Sequence, residues 1–379
     1  MDNLTHSLFA LTLGRTELGR AGRGTTAALL VASNAPDIDV LSTLGGATQY
    51  LRWHRGPTHG PLGLVALSLL TGGAVWMACR LLDRRRNPSG LEPPSPVPVG
   101  TASFAMLTMV SAIGVLMHIL MDLPTSYGTR LLSPFDWHWY GVDWMPIVDV
   151  FLLIPLASGL AFGRRSPAAR QRNAAIILVF MAANYAVRAA EHHQALELAP
   201  RLFGPLLPAP CAPETARRSI IDVWPHDGNA SGPAGSASRC LVEIAALPTF
   251  VSPFRWRVIA QMSNAYEIHD IDLLDSRFRH PASGDGAFWR LSLRYPNQWT
   301  AAVFEAAPTR IGRVFLGFSR FPSARSVVDR DGQTTVRWSD MRFVGGVFGL
   351  DQPARQMNFT TAMVRIAPDG TILLEKFGR

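Results

Sequence analysis

Lysine is nearly missing from this chain. Of 36 basic residues in 379, only Lys376 is a lysine, and charged residues of both signs make up 17%. Soluble domains carry about 25%. The arginines fall between apolar runs in a chain rich in Ala, Gly and Pro, so topology and coding bias account for the net charge of +8. A nucleic-acid partner is therefore not expected. Cysteine is scarce too: there are three, none in a CxxC pair, which argues against a cysteine-rich zinc site. The opening MDNLTH lacks a basic segment followed by a long apolar one, so it does not read as a cleavable signal peptide.

Hydrophobic sequence is abundant, at 48% of the chain, and unevenly placed. Residues 60–82, 101–120, 145–162 and 173–190 are apolar runs. Each approaches the roughly 20 residues of a membrane-spanning helix. None carries the polar stripe of a surface helix. Arg80, Arg84, Arg85 and Arg86 follow the first run, and Arg164, Arg165, Arg170 and Arg172 follow the third. The positive-inside rule assigns both loops to the cytoplasm. Residues 46–59, residues 121–144 and everything beyond 190 then face the opposite side, with Trp137, Trp139, Tyr140 and Trp144 as interfacial aromatics. Two shorter runs, 4–14 and 25–35, are separated by Arg15, Arg20 and Arg23. They read as a helical hairpin whose outer ends carry His6 and Asp37/Asp39.

Several polar motifs therefore converge on one face. His6 follows Thr5 at the start of an apolar helix, where a lone histidine has an ordinary structural reading. In Asn34-Ala35-Pro36-Asp37-Ile38-Asp39, Pro36 ends the preceding helix. Two carboxylates beside an apolar run are costly unless cations or a metal pair with them. In an extended segment Asp37 and Asp39 project to one side; in a helix they diverge. The alternative is an N-cap aspartate. His54-Arg55-Gly56-Pro57-Thr58-His59 puts two imidazoles around a Gly-Pro turn, beside an arginine that offers a planar fork to phosphate or carboxylate. His118 and Asp122, spaced i,i+4 at the end of a span, share a helix face. Ionisable groups there are functional candidates by default. Asp136, His138 and Asp143 form a weaker loop cluster that reads as solvated.

Together these residues suggest a divalent transition metal, zinc first with manganese or iron compatible, as one ion or two. His6, Asp39, His59, His118 and Asp122 are the expected ligands. Asp37 or His54 would be a further ligand or a base, and Arg55 would meet developing negative charge.

The ordered set DNLTH (2–6), PDID (36–39), HRGPTH (54–59) and HILMD (118–122), followed by Pro124-Thr125, resembles the membrane-bound metal-dependent hydrolases, also described as LexA-binding, inner-membrane-associated hydrolases. The resemblance covers roughly the first 190 residues. It implies an integral protein of the bacterial inner membrane with metal-dependent hydrolase activity and a cytoplasmic protein partner. A more distant likeness, in the pairing of His with Asp on helices, is to zinc-dependent phospholipases C.

The expected architecture is an α-helical multi-pass membrane domain (1–190), a linker and loop (191–240), and a smaller β-rich α+β domain outside the cytoplasm (241–379). Strand-like runs fall at 255–262, 266–273, 288–295, 334–338, 357–366 and 371–377, with a helix at 308–318. The stretch 200–213 is a Pro-rich linker, and 227–238 a Gly/Ser/Ala-rich loop. Outside the cytoplasm Cys211 and Cys240 can form a disulfide, with two free, buried thiols as the alternative. His269-Asp270-Ile271-Asp272 reads as the solvent face of a strand, and His226 and His280 as no second site. The expected function is metal-activated hydrolysis of a phosphoester or lipid-type substrate at the bilayer. The alternative is a non-enzymatic metal-binding receptor or regulator with a partner bound by the C-terminal domain. A transporter with His118 and Asp122 on an ion path ranks last, because no inverted repeat is visible.

Overall fold

Helix α1 (Asn3–Leu13) starts where Asp2 caps it. The Asp2 carboxylate accepts the Thr5 N–H at 3.0 Å and the Thr5 hydroxyl at 2.6 Å. The structure is a computed structural model, and it describes residues 1–86, 100–162, 166–203, 207–211, 222–224, 240–275, 293–344 and 358–378. They divide into two compact units, one of Met1–Val40, Arg55–Trp137 and Ile147–Ala186, the other of Leu41–His54, His138–Pro146 and Val187–Arg379.

In the first unit α2 (Thr25–Ala32) runs back along α1. The Ser7 hydroxyl donates to Asn34 across one end, and Gly14 lies against Thr26 at the other. This is the expected hairpin, with the arginines in its connection. Arg15 donates to the carbonyls of Gly159 and Leu160, each at 2.8 Å, and Arg23 pairs with Asp83 at 2.5 Å. Helices α4 (Pro61–Arg86) and α5 (Phe104–Asp122) lie antiparallel, with Leu64 and Leu67 of α4 meeting Val115 and Ile119 of α5. Gly114 of α5 sits against α2, where a Cβ would fall 2.9 Å from the Ala32 methyl and 3.2 Å from the Leu29 carbonyl. Such close backbone approach is how helices pack where no hydrophobic effect drives them together.

Among the described residues three helices are long and apolar enough to cross a membrane: Pro61–Arg85, Phe104–Asp122 and Pro167–Leu202. The expected fourth span at 145–162 is the departure. Its helix, α6, covers only Val150–Ala161. Asp149 caps it by accepting the Phe151 N–H at 2.7 Å, so the apolar residues before it stay outside the helix. Twelve residues give about 18 Å, short of the roughly 30 Å hydrocarbon core. α7 (Pro167–Leu202) continues past Ala190 and takes in Pro200, so the Pro-rich stretch begins as helix.

The second unit is β-rich. Short α3 (Ala47–Trp53) belongs to it, and β1 (Trp139–Gly141) pairs with β2 (Asp222–Trp224). One antiparallel sheet has the order β3-β4-β5-β6, from β3 (Leu241–Pro248), β4 (Arg255–Met262), β5 (Ala265–Asp272) and β6 (Leu293–Pro296). The other has the order β10-β9-β8-β7, from β7 (Pro322–Val328), β8 (Thr334–Asp340), β9 (Thr361–Ile366) and β10 (Ile372–Phe377). Ala195, Ala199 and Leu202 at the end of α7 pack on Trp256, Val258 and Ile271 of the first sheet. Helices α8 (Ala301–Ala306) and α9 (Arg310–Leu316) cover the second through Val303, Ile311 and Phe315. Thus β4, β5, β8, β9 and β10 fall close to their expected places, whereas β3 and β7 had no place in the pattern. Residues 288–292, Met357, the 227–238 loop, His226 and His280 lie outside the described residues.

Three other expectations change here. Trp139 is fully buried and meets Phe318 edge-on, so it is a core aromatic rather than an interfacial one. Asp143 is buried and bound to Arg320 at 2.6 Å, and Arg320 also holds Glu243 at 2.5 Å. His269 is buried, because both faces of its sheet are covered, while Asp270 and Asp272 pair with Arg257 and Arg255. Cys211 and Cys240 are joined by a disulfide.

Candidate metal centre

The site lies within the first unit, and each side chain arrives there for a local reason. His118 and Asp122 occupy consecutive turns at the end of α5, both fully buried. Their i,i+4 spacing puts them on one face. His118 Nδ1 lies 2.8 Å from the Ser33 carbonyl, which can only accept. Nδ1 therefore carries the proton, and in the neutral ring Nε2 presents a lone pair inward. His59 ends the 3-10 turn Pro57–His59. Its Nδ1 is 3.0 Å from the Thr58 hydroxyl and 3.6 Å from Asp39, while Nε2 points at His118. A partner on one ring nitrogen that aims the other is the usual arrangement around metal-binding histidines.

Asp37 completes the group. Among the described residues, Asp37, His59, His118 and Asp122 each offer one atom, all within 4.8 Å of one another. The individual distances are 3.2 Å between the two Nε2 atoms, 3.7 and 3.5 Å from these to Asp37, and 3.4 and 3.5 Å from them to Asp122 Oδ2. A tetrahedral ion bound at about 2.1 Å requires ligand-to-ligand edges of about 3.4 Å. The two imidazoles and two carboxylates therefore have the chemistry and the spacing of a shell for zinc or a similar ion. Burial pushes the Asp37 carboxyl up, but the hydrogen bond and charge of His118, and then the charge of Arg55, outweigh it and hold it below the usual carboxylate range.

His6 stacks on His118 with ring centroids 3.9 Å apart, and its Nε2 is 3.4 Å from Asp122 Oδ1. Both its ring nitrogens are buried without a hydrogen-bond partner. Unsatisfied buried groups of this kind call for an explanation such as an ion. The Met1 amino group forms an ion pair with the same Asp122 oxygen, a neighbour with no signal in the motifs.

Several residues differ in place from the sequence reading. Asp37 and Asp39 exchange positions. Their segment, Ala35–Gly45, is a 3-10 helix rather than extended chain, so the two side chains diverge around His59. Asp37 reaches Nε2; Asp39 stays on the Nδ1 side and accepts the Arg55 N–H at 2.6 Å. Arg55 is buried with a left-handed φ of 50°, and its guanidinium is 3.1 Å from Asp122 and 2.8 Å from the Gly128 carbonyl. It also lies over the Tyr127 ring. Its fork is thus engaged by Asp122 and the loop at Gly128. His54 belongs to the second unit, where it stacks on Tyr50, and is not one of the four grouped donors. Thr58, quoted in the motif without a role, is the hydroxyl beside the His59 ring.

Apolar helices of spanning length around a buried His/Asp cluster define an integral membrane protein with a candidate metal centre. The model of the YdjM inner membrane protein family matches residues 1–195, a stretch containing every motif above, and the chain belongs to that family. It is also 24% identical over 169 residues to the uncharacterized protein YfhP of Bacillus subtilis (strain 168), covering 42% of this chain and 46% of that one. The chain thus matches less than half the length of that relative. No solved structure matches.

Proposed function

We propose that this chain is a metal-dependent hydrolase working at the membrane surface on a phosphoester or lipid-type substrate. The observation that carries the reading is the cluster of four donors within 4.8 Å of one another, with the edges that involve the two imidazoles at 3.2 to 3.7 Å. A bound divalent ion would lower the pKa of a coordinated water and so supply a nucleophile. Asp37 is the ligand at the rim, 14% exposed, and its carboxylate would orient the incoming water and accept its proton. Arg55 would hold Asp122 in position. His6, stacked on His118 and 3.4 Å from Asp122, would be a further ligand if a second ion were held.

The topology belongs to the same proposal. Arg15, Arg23, Arg80 and Arg84 gather at the end of the first unit opposite His59 and Asp122, which supports a cytoplasmic arginine end and a metal centre on the other face. The Cys211–Cys240 disulfide supports an extracytoplasmic C-terminal domain, since thiols stay reduced in the cytoplasm.

The non-enzymatic reading, a metal-stabilised receptor or regulator, draws support from one feature: four protein donors already close a tetrahedral shell, as in structural sites. Metal analysis of the purified protein, X-ray absorption to count light-atom ligands, and a panel of phosphomonoesters, phosphodiesters and phospholipids decide between them. A bound ion with an exchangeable water and turnover of a panel member is expected. Metal-free protein with an inert panel would overturn the hydrolase.

A further inference from the structure

The four donors are almost sealed. His59, His118 and Asp122 are fully buried, and Asp37 alone reaches the exterior. Exposed apolar side chains stand beside Asp37 in its own segment and on the segments joined to His59 and Arg55. On the 3-10 helix that turns Asp37 and Asp39 inward, the intervening Ile38 and the following Val40 turn outward, each about half exposed. Three residues beyond His59, Leu62 starts the exposed side of α4, followed one turn later by Val65 at 60%. Residues 130–137 lie alongside: the Arg130 N–H bonds the Arg55 carbonyl at 3.0 Å, and a Cβ on Gly60 would fall 1.9 Å from the Ser133 carbonyl. They contribute Phe135 at 76% exposure and Trp137, which lies over the Arg130 guanidinium.

Exposed aliphatic and aromatic side chains around a polar site are unfavourable in water and favourable in a bilayer. Here they continue from the exposed side of a helix long and apolar enough to span, and Trp is enriched at membrane–water interfaces. We infer that the centre is entered sideways from the lipid phase. On that account its substrate is an amphiphile anchored in the bilayer by its acyl chains, with its polar head at Asp37, rather than a soluble metabolite. The substrate class rests on the hydrolase reading; the lipid-facing entrance does not.

The test uses the full chain in phospholipid nanodiscs. Ile38→Cys and Val40→Cys are labelled one at a time with an environment-sensitive fluorophore, with Arg330→Cys in the exposed β7–β8 turn as the aqueous reference. Quenching of the first two by chain-brominated phospholipid, with protection from iodide relative to the reference, is expected. Iodide quenching equal to that at the reference would overturn the entrance. In the second arm, Ile38→Ser/Val40→Ser should lower kcat/KM for a long-chain phospholipid about tenfold, the effect of losing roughly one buried aliphatic contact. Turnover of a short-chain soluble phosphoester should be spared. Equal loss on both would make these residues structural and overturn the proposal. Lipid quenching with neither ester cleaved would keep the entrance and remove the hydrolase reading. Iodide quenching with the soluble ester cleaved would do the reverse.

Discussion

Both units bury carboxylates, and they meet the cost differently. In the second, Asp143 and Glu243 converge on Arg320, whose guanidinium is fully buried and serves both. The cation is part of the chain, and the cluster reads as a structural clasp. In the first, Asp37 and Asp122 face two imidazoles whose inward nitrogens are aimed at one point by Ser33 and Thr58, while Arg55 and the Met1 amino group lie to one side of Asp122. Unpaired carboxylates in an apolar interior are too costly to persist. The arrangement of the second cluster is spent on holding chain to chain. That of the first pairs Asp122 with Arg55 and the Met1 amino group and also groups it with Asp37, His59 and His118, a set that could hold a metal ion.

The comparison can be broken most severely at the ligands. His118→Ala and Asp122→Ala should each abolish metal content, measured by elemental analysis, with helicity retained by circular dichroism. Full retention of metal in both would reduce the cluster to another salt bridge. Next comes the clasp. Arg320→Met should destabilise the protein by about 3–5 kcal/mol, because two buried carboxylates lose their cation. Denaturant unfolding in detergent measures it, and metal content should not change. Cys240→Ser should cost about 3–4 kcal/mol by opening a 29-residue loop in the chain-entropy model. It should again leave the metal in place. The smallest effect is the most discriminating. Asp39→Asn should weaken metal affinity about tenfold, as loss of an orienting partner does. Asp37→Asn should weaken it more. Equal losses would restore the sequence reading of Asp39 as a ligand.

Much of the first unit was legible. The His118–Asp122 pair follows from helical spacing, the hairpin from arginines between two short apolar runs, and the gathering of His6, the aspartates and His59 from alternation of apolar runs with basic loops. The placement of Asp37 and Asp39 around His59 was not, because it turns on whether 35–45 is extended or 3-10 helical, and Pro36 is compatible with both. Arg55 looked free to meet a substrate, since nothing local announces that Gly128 and Asp122, far along the chain, occupy its fork. The 145–162 run counted as a span by composition; a capping hydrogen bond at Asp149 shortens it. In the C-terminal half, turn signals and alternation marked most strands. β3 was missed because LVEIAALP is nearly uniformly apolar, and β7 because it opens on proline and carries Ser and Arg.

By itself the sequence determined which stretches form apolar helices and that His118 and Asp122 share one helix face. Helical periodicity and the cost of moving charge through lipid act on neighbours in the chain. The tertiary structure decided which residues meet: that Asp37 groups with His59 Nε2, His118 and Asp122 while Asp39 lies on the Nδ1 side of His59, that Arg55 pairs with Asp122, and that Asp143 belongs to Arg320. Such choices depend on contacts between segments up to 177 residues apart, set by packing that no local pattern encodes.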